Sequence, residues 1–363
     1  MSETRTSEYP LVFEGVSRRY TGNKKYAVTD LSFSIGDGEV VALLGPNGAG
    51  KTTTVKMAST LLEPSAGSIT IAGYDAVKET KRARSEIGLT LGGDRGFYLR
   101  TTAAHNLMFF GNLQNLSGKQ LKQRAHALLE QVGLAHVANS KVETFSRGMK
   151  QRLHLARAII TEPKLLLLDE PSNGLDPQGA LELKQLVRET VRLGHGTLLT
   201  THQMAEADEL ADTVMIIAGG RMLAKGTVSE IKKHARVGEV TSLHLDCTAD
   251  PLPELQKLGA ETIRTAKQPG YWTADLTWPP GITAPYDFGD APFAGSILAV
   301  HTRAATLEEA YLTFIDREQA GAAQQTDAAQ AQTDATQAQT DTNRAQADTA
   351  QHSAPPEAEN TGA

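Results

Sequence analysis

The sequence predicts an α/β fold built on a mainly parallel sheet, and three observations lead there. Between about residues 10 and 235, strand-like apolar runs alternate with amphipathic helical stretches, the pattern of a layered α/β domain. The apolar run Val40 to Leu44 leads into Gly45-Pro46-Asn47-Gly48-Ala49-Gly50-Lys51-Thr52, and the helix-compatible run Thr53 to Ala58 follows. A second run, Leu165 to Leu168, is apolar at every position and ends in Asp169-Glu170. A strand with two apolar faces belongs in the middle of a parallel sheet.

The segment Gly45 to Thr52 fits the phosphate-binding pattern G-x-x-x-x-G-K-[ST]. Closely spaced glycines let backbone N–H groups turn inward around phosphate oxygens, and the helix that follows offers its positive N-terminal dipole to the same anion. Lys51 is expected to reach the terminal phosphates, and the Thr52 hydroxyl to hold a magnesium ion. A glycine-rich turn before a helix is the plain alternative. The full match in a strand–loop–helix context argues against it, so a nucleoside triphosphate is the expected ligand.

Ligands of parallel sheets bind at the carboxyl ends of the strands, which is where Asp169 and Glu170 emerge. Asp169 suits magnesium, directly or through water, and Glu170 suits polarisation of an attacking water. A pair of acids that merely caps a strand is the alternative, which the phosphate-binding pattern elsewhere in the chain disfavours.

With 363 residues the chain is long enough for two domains with separate cores. No run approaches the 18 or so apolar residues of a membrane span, and Met1 to Arg5 lacks an apolar signal core. Cys247 is the one cysteine, so no intrachain disulfide forms and a reducing cytosol is the expected home. Its alternating surroundings, Ser242 to Cys247, predict a thiol packed in a strand. The net charge of −6 comes wholly from the end of the chain: from Glu318 onward seven acidic residues face one basic residue, Arg344. Met1 to Arg317 is therefore formally neutral, and no nucleic-acid partner is expected.

From about 240 to 316 the texture changes. Strand candidates at Ser242–Cys247, Tyr271–Trp278 and Ser296–Arg303 flank helix-like segments, with Pro279-Pro280-Gly281 as a loop. Thr306 opens a final helix with Glu308 and Glu309 in its first turn. Beyond Gln319 the composition falls to Ala, Gln, Thr and Asp, and Gln-Thr-Asp recurs at 325, 332 and 339. That heptad lacks the large apolar side chains of a coiled-coil seam, so disorder is expected.

On these residues the chain resembles the nucleotide-binding subunit of an ABC transporter, over about residues 12 to 235. Phe145-Ser146-Arg147-Gly148-Met149, followed by Lys150-Gln151-Arg152, resembles the family's signature sequence. The resemblance implies that Ser146 and the helix start it caps bind the γ-phosphate held by the opposite subunit. Arg147 stands where the commonest form has Gly, and Met149 where it has Gln. Ser172-Asn173-Gly174-Leu175-Asp176 resembles the loop that crosses the dimer interface, with Asp176 as its coupling residue. His202, after Leu198-Leu199-Thr200-Thr201, resembles the switch histidine at the γ-phosphate. Tyr20 resembles the aromatic on which the family stacks adenine, and Tyr26 is its rival.

One family element is missing. Where a glutamine is usual after Ile87-Gly88-Leu89, this chain has Gly92 or Gly93, and Asp94 is a candidate substitute acting through water. Phe97, Tyr98 and Leu99 fall where the family docks the coupling helix of its membrane partner, with a packed loop as the alternative.

The implied organisation is a P-loop ABC ATP-binding domain at 11–236, with a helical subdomain at about 92–158, between a flexible N-terminus at 1–10 and a small α+β extension at 237–317. A disordered tail occupies 318–363. One such domain supplies half a site, so a second ATP-binding subunit, identical or homologous, is implied, as are ATP, Mg2+ and a separate transmembrane permease on whose cytoplasmic face the chain sits. Ala305 to Leu312 resembles the end of the C-terminal extension in ABC-2 multidrug and polysaccharide exporters, which favours export. The rival is a soluble ABC ATPase acting on nucleic acid or ribosomes. Such proteins usually carry two nucleotide domains, or a long coiled coil between the phosphate loop and the signature, and only about 100 residues separate Gly45 from Ser146 here. A nucleotide-regulated scaffold without turnover is disfavoured by the presence of both Glu170 and His202.

Overall fold

The structure, a computed structural model, describes residues 9–23, 25–90, 96–279, 282, 288 and 296–318. Most of the N-terminal stretch 1–10, the tail beyond 318 and the glutamine-replacing positions Gly92, Gly93 and Asp94 lie outside the described residues. So does part of the loop at Pro280 and Gly281. Met1–Leu312 make one compact unit and Thr313–Ala363 a second, of which the described part, residues 313–318, is helical.

In chain order the strands are β1 (Leu11–Arg18), β2 (Val28–Ile35), β3 (Val40–Leu44), β4 (Ala66–Ile71), β5 (Tyr74–Asp75), β6 (Ile87–Thr90), β7 (Leu165–Asp169), β8 (Gly196–Thr200), β9 (Thr213–Ala218), β10 (Arg221–Gly226), β11 (Glu239–Leu245), β12 (Thr262–Gln268), β13 (Tyr271–Thr277) and β14 (Ile297–Ala304). The helices are α1 (Lys51–Ala58), α2 (Thr80–Ser85), α3 (Ala103–Leu113), α4 (Gly118–Gln131), α5 (Arg147–Ala158), α6 (Pro177–Val191), α7 (Met204–Leu210), α8 (Val228–His234) and α9 (Leu252–Leu255).

The central sheet runs β10-β9-β3-β8-β7-β6. Its members pair in parallel except at the β9–β10 hairpin. As expected, β7 is interior, between β8 and β6. Side chains alternate between the faces of a strand, and the packing follows that alternation. Leu165 and Leu167 join one apolar cluster with Leu11, Phe13 and Val55, while Leu166 and Leu168 join the other with Leu107, Leu129 and Leu153.

The first cluster is closed by an antiparallel sheet, β2-β1-β4-β5, whose cross-strand pair Phe13 and Phe33 stacks at 4.7 Å. The second is closed by the helices α3 to α6. Arg124 of α4 ties this helical layer together by donating to the carbonyls of Ile159 and Ile160 and to Glu162.

The C-terminal sheet is antiparallel, β12-β13-β11-β14, packed on Leu243, Leu245, Leu255, Ala274, Leu276 and Trp278. Its members include β12, which the sequence reading lacked; Arg264, Lys267 and Gln268 break its apolar alternation. Cys247 falls past the end of β11 rather than within it, and its thiol donates to the Ala249 carbonyl at 3.4 Å. Thr306 caps the last helix as expected: its amide donates to Glu309 Oε2 at 2.6 Å, and the Glu309 amide returns a bond to its hydroxyl at 3.4 Å. Arg303 on β14 adds two bonds to the same carboxylate, at 2.9 and 2.5 Å. Among the described residues no helix is long and apolar enough to cross a membrane.

Candidate functional site

The loop between β3 and α1 turns at Gly50, which occupies the left-handed region with φ 111°. A side chain there would also meet the Ala27 carbonyl, 2.6 Å from an added Cβ, so only glycine lets the loop close over β2. The result is a cavity of about 160 Å³ lined by Ala27, Pro46, Asn47, Gly48, Gly50, Lys51, Thr52, Thr53 and Glu170. Of the expected loop residues, Gly45 and Ala49 are buried behind it. They shape the turn rather than line it.

Lys51 opens α1, and its ammonium donates to the carbonyls of Gly45 and Pro46. Burial pulls its pKa below the ordinary lysine value, opposed by the nearby carboxylates of Glu170 and then Asp169. A cation so placed, with N–H groups at a helix start, suits a polyphosphate.

The two acids leave β7 in different settings. Asp169 accepts the Thr200 hydroxyl at 2.5 Å across the β7–β8 register, in which Asp169 and Thr200 are partners. Glu170 stands past the strand end with φ 48°, a conformation costing a non-glycine residue about 1–3 kcal/mol and typical of functional sites. Its amide is pinned to the Thr200 carbonyl at 2.9 Å. One carboxylate oxygen faces His202 Nδ1 at 3.4 Å and the other accepts the Asn173 amide at 2.9 Å. Parallel pairing of β7 with β8 thus brings Asp169, Glu170 and His202 together, and α1 adds Lys51.

Among the described residues no group of three or more His, Cys, Asp or Glu is placed to hold a metal unaided. Magnesium takes few protein ligands and draws the rest from phosphate and water. Thr52 in the cavity and Asp169 at the strand end are hard oxygen donors that fit that pattern.

The two tyrosines divide. Tyr20 reaches Thr53, its hydroxyl 3.3 Å from Thr53 Oγ1, while Tyr26 lies under the Arg19 guanidinium at 5.3 Å. Both are exposed, and Tyr20 has its own guanidinium cover from Arg18 at 5.3 Å.

Ser146 caps α5 by accepting the Met149 amide at 3.2 Å. No residue of 146–149 lines the cavity around Lys51. Arg147 and Gly148 follow Ser146 at the exposed helix start, and Arg147 packs its guanidinium on Gly174: a Cβ added there would come within 2.2 Å of Arg147 Nη1. Asp176 caps α6, accepting the Gly179 amide at 2.8 Å.

Sequence reading assigned no role to Thr200 or Asn173, which hold the two acids. The signal for Thr200 was its place at the end of the strand beside Asp169. For Asn173 none existed, because its contact depends on the turn.

Phe97 packs in the helical layer, 4.3 Å from the His154 ring and under the Arg157 guanidinium. Burial lowers the pKa of Arg157, which donates to the Gly96 carbonyl at 3.0 Å. Tyr98 and Leu99 are exposed, and the Tyr98 ring stands edge-on to Phe109 at 4.8 Å. Nearby, a hollow of about 340 Å³ is lined by Leu61, Arg84, Leu89, Phe110, Leu113 and Arg157, among others.

Known proteins resemble this chain in sequence and fold. A family model described as ABC transporter matches residues 28–173. The doxorubicin resistance ATP-binding protein DrrA of Mycobacterium tuberculosis is 42% identical over 231 residues, covering 64% of this chain and 70% of the relative. The ABC transporter ATP-binding protein NatA of Bacillus subtilis is 39% identical over 222 residues, 61% of this chain and 90% of the relative. Among solved structures, an ATP-binding subunit of an ABC transporter aligns with a TM-score of 0.56 at 33% identity, over 62% of this chain and 92% of that one.

Proposed function

The chain belongs to the ABC transporter family of ATP-binding subunits, and on that premise we propose that it hydrolyses ATP to power export through a separate membrane permease. The observation that carries this reading is the convergence of Lys51, Glu170 and His202 at the mouth of the glycine-loop cavity.

The residues divide the work of phosphoryl transfer, which needs positioning and charge neutralisation more than covalent chemistry. The amides of Gly48 to Thr53 and the Lys51 ammonium take up charge on the β- and γ-phosphates. Glu170 orients the attacking water and accepts its proton. His202, beside Glu170, faces the γ-phosphate. Bound magnesium, held by Thr52 and Asp169, would neutralise charge shared by those phosphates. Tyr20 offers its exposed ring to the adenine.

Ser146, Arg147, Gly148 and Met149 do not line their own chain's cavity, which supports a head-to-tail dimer in which each copy completes the other's site, with Asp176 in the loop between them. ATP prefers the closed dimer, so binding drives closure and hydrolysis releases it. Tyr98, Leu99 and Leu113 are exposed, the last of them on the lining of the 340 Å³ hollow, and they are the surface proposed for a permease helix, with the chain on the cytoplasmic face of the membrane. The relatives' names, drug resistance for DrrA, favour export.

Isolation of the full-length chain from membranes, with mass spectrometry of what accompanies it and an assay of magnesium-dependent ATP hydrolysis, tests this. A membrane permease and ATP turnover are expected. Copurification with ribosomes or nucleic acid alone would overturn it.

A further inference from the structure

We propose that Asn173 is a positioning residue that fixes the orientation of the Glu170 carboxylate, and that Arg147 seats the loop that carries it. The proposal rests on the reading of Glu170 as the group that orients water.

A glutamate side chain ends in a bond about which rotation exchanges its two oxygens, and a carboxylate on the rim of a cavity has nothing of its own to choose between them. Here each oxygen has a different neighbour. Asn173 Nδ2 donates to Oε2 at 2.9 Å and His202 Nδ1 faces Oε1 at 3.4 Å. The backbone is held by the same residues: the Asn173 amide donates to the Glu170 carbonyl at 3.1 Å, and the Glu170 amide to Thr200. The two contacts together fix the plane of the Glu170 carboxylate and so the direction in which it meets the site. Glu170 and Asp169 both act on the Lys51 ammonium of α1.

Asn173 itself is exposed, so the side chain makes no core contact that would explain it. What keeps it in place is its neighbour. Gly174 has φ 70°, and the Arg147 guanidinium packs against it where a Cβ would stand. Arg147 is the first residue of α5, directly after Ser146. A continuous path of contacts thus runs from the helix start that would read one ATP to the carboxylate that would act on the other.

The test uses Asn173→Asp, Asn173→Ala and Asn173→Gln in the full-length chain, in the assembly with which it copurifies. Asp keeps the size and turn tendency of Asn, removes the donor and sets a second carboxylate against Glu170; Ala removes the donor without adding charge, and Gln keeps an amide donor. A lost hydrogen bond to a charged group corresponds to a fall in kcat of about tenfold or more for Asp and Ala. In N173A the ATP Kd and melting temperature should stay at wild-type values, and Gln should recover part of the rate. Wild-type kcat in N173A, or a loss in that variant that appears in ATP affinity or melting temperature instead, overturns the proposal. Glu170→Gln measured alongside separates the layers. If E170Q is inactive and N173A is fully active, the proposal alone fails. If E170Q turns over like wild type, the role of Glu170 fails and the proposal with it.

Discussion

His202 Nδ1 lies 3.4 Å from Glu170 Oε1, a contact made between the ends of two neighbouring parallel strands, β7 and β8. Neither residue is held there by its own segment alone. Glu170 is pinned by the Thr200 carbonyl, and Thr200 stands two residues before His202.

The first expectation follows from that contact. Glu170→Gln keeps the shape and the Asn173 contact while removing the proton acceptor, so turnover should fall by about 10²–10⁴-fold, the usual worth of a general base. ATP should still bind, and the closed dimer should accumulate. Phosphate release together with ATP-dependent size-exclusion chromatography measures both. Hydrolysis at the wild-type rate would remove Glu170 from its role.

Ser146 serves two purposes that substitutions can separate. Ala removes the cap on α5 and should cost about 0.5–2 kcal/mol of stability. Asp retains the cap but sets a negative charge toward a partner's γ-phosphate. We expect Ser146→Asp to melt like wild type yet fail to dimerise with ATP. Normal ATP-dependent dimerisation of that variant would contradict a signature role.

Leu113 ends α3 with 63% of its surface exposed, so Leu113→Glu should leave ATP binding and melting temperature unchanged. It should weaken copurification with the permease, because an unpaired carboxylate is poorly tolerated in an apolar contact. Undiminished copurification would move the docking surface elsewhere.

Glu309 provides a pH test confined to the C-terminal sheet. Burial pushes its carboxyl upward, but the bonds from Arg303 and Thr306 outweigh that and hold its pKa below the usual glutamate value. Such a group contributes stability that is fully present above its unfolded pKa, about 4.3, and is lost as pH falls through the lowered folded value. Both tryptophans of the chain, Trp272 and Trp278, belong to β13 and its end, so tryptophan emission follows this sheet. Glu309→Gln should unfold it at lower denaturant and remove the acid dependence below about pH 4. An unchanged acid limb would mean that the Arg303 pair contributes nothing.

The sequence made the site legible where chemistry and strand ends coincide. Gly45 to Thr52, Asp169 and His202 each follow an apolar run that cannot be anything but a buried strand, so position and role come together. It was silent where a turn decides. Asn173 is a polar residue in a turn and Arg147 the first residue of a helix, and only the folded path of residues 170–176 reveals what they touch. β12 escaped because charged residues occupy its half-exposed faces, and Cys247 was misplaced because strand alternation does not mark where pairing stops. Neither side-chain periodicity nor motif chose between Tyr20 and Tyr26; both are exposed aromatics beside an arginine.

The interleaving of β7 between two cores has a chemical consequence. Leu165 and Leu167 belong to one cluster, Leu166 and Leu168 to the other. A slip of one residue would turn every leucine toward the wrong face. It would also move Glu170 into the place of Asp169, handing the water-activating carboxylate the position that suits a cation. Beside the hydrogen bonds of Thr200, the burial of four leucines therefore acts as the proofreader that keeps two neighbouring carboxylates from exchanging jobs.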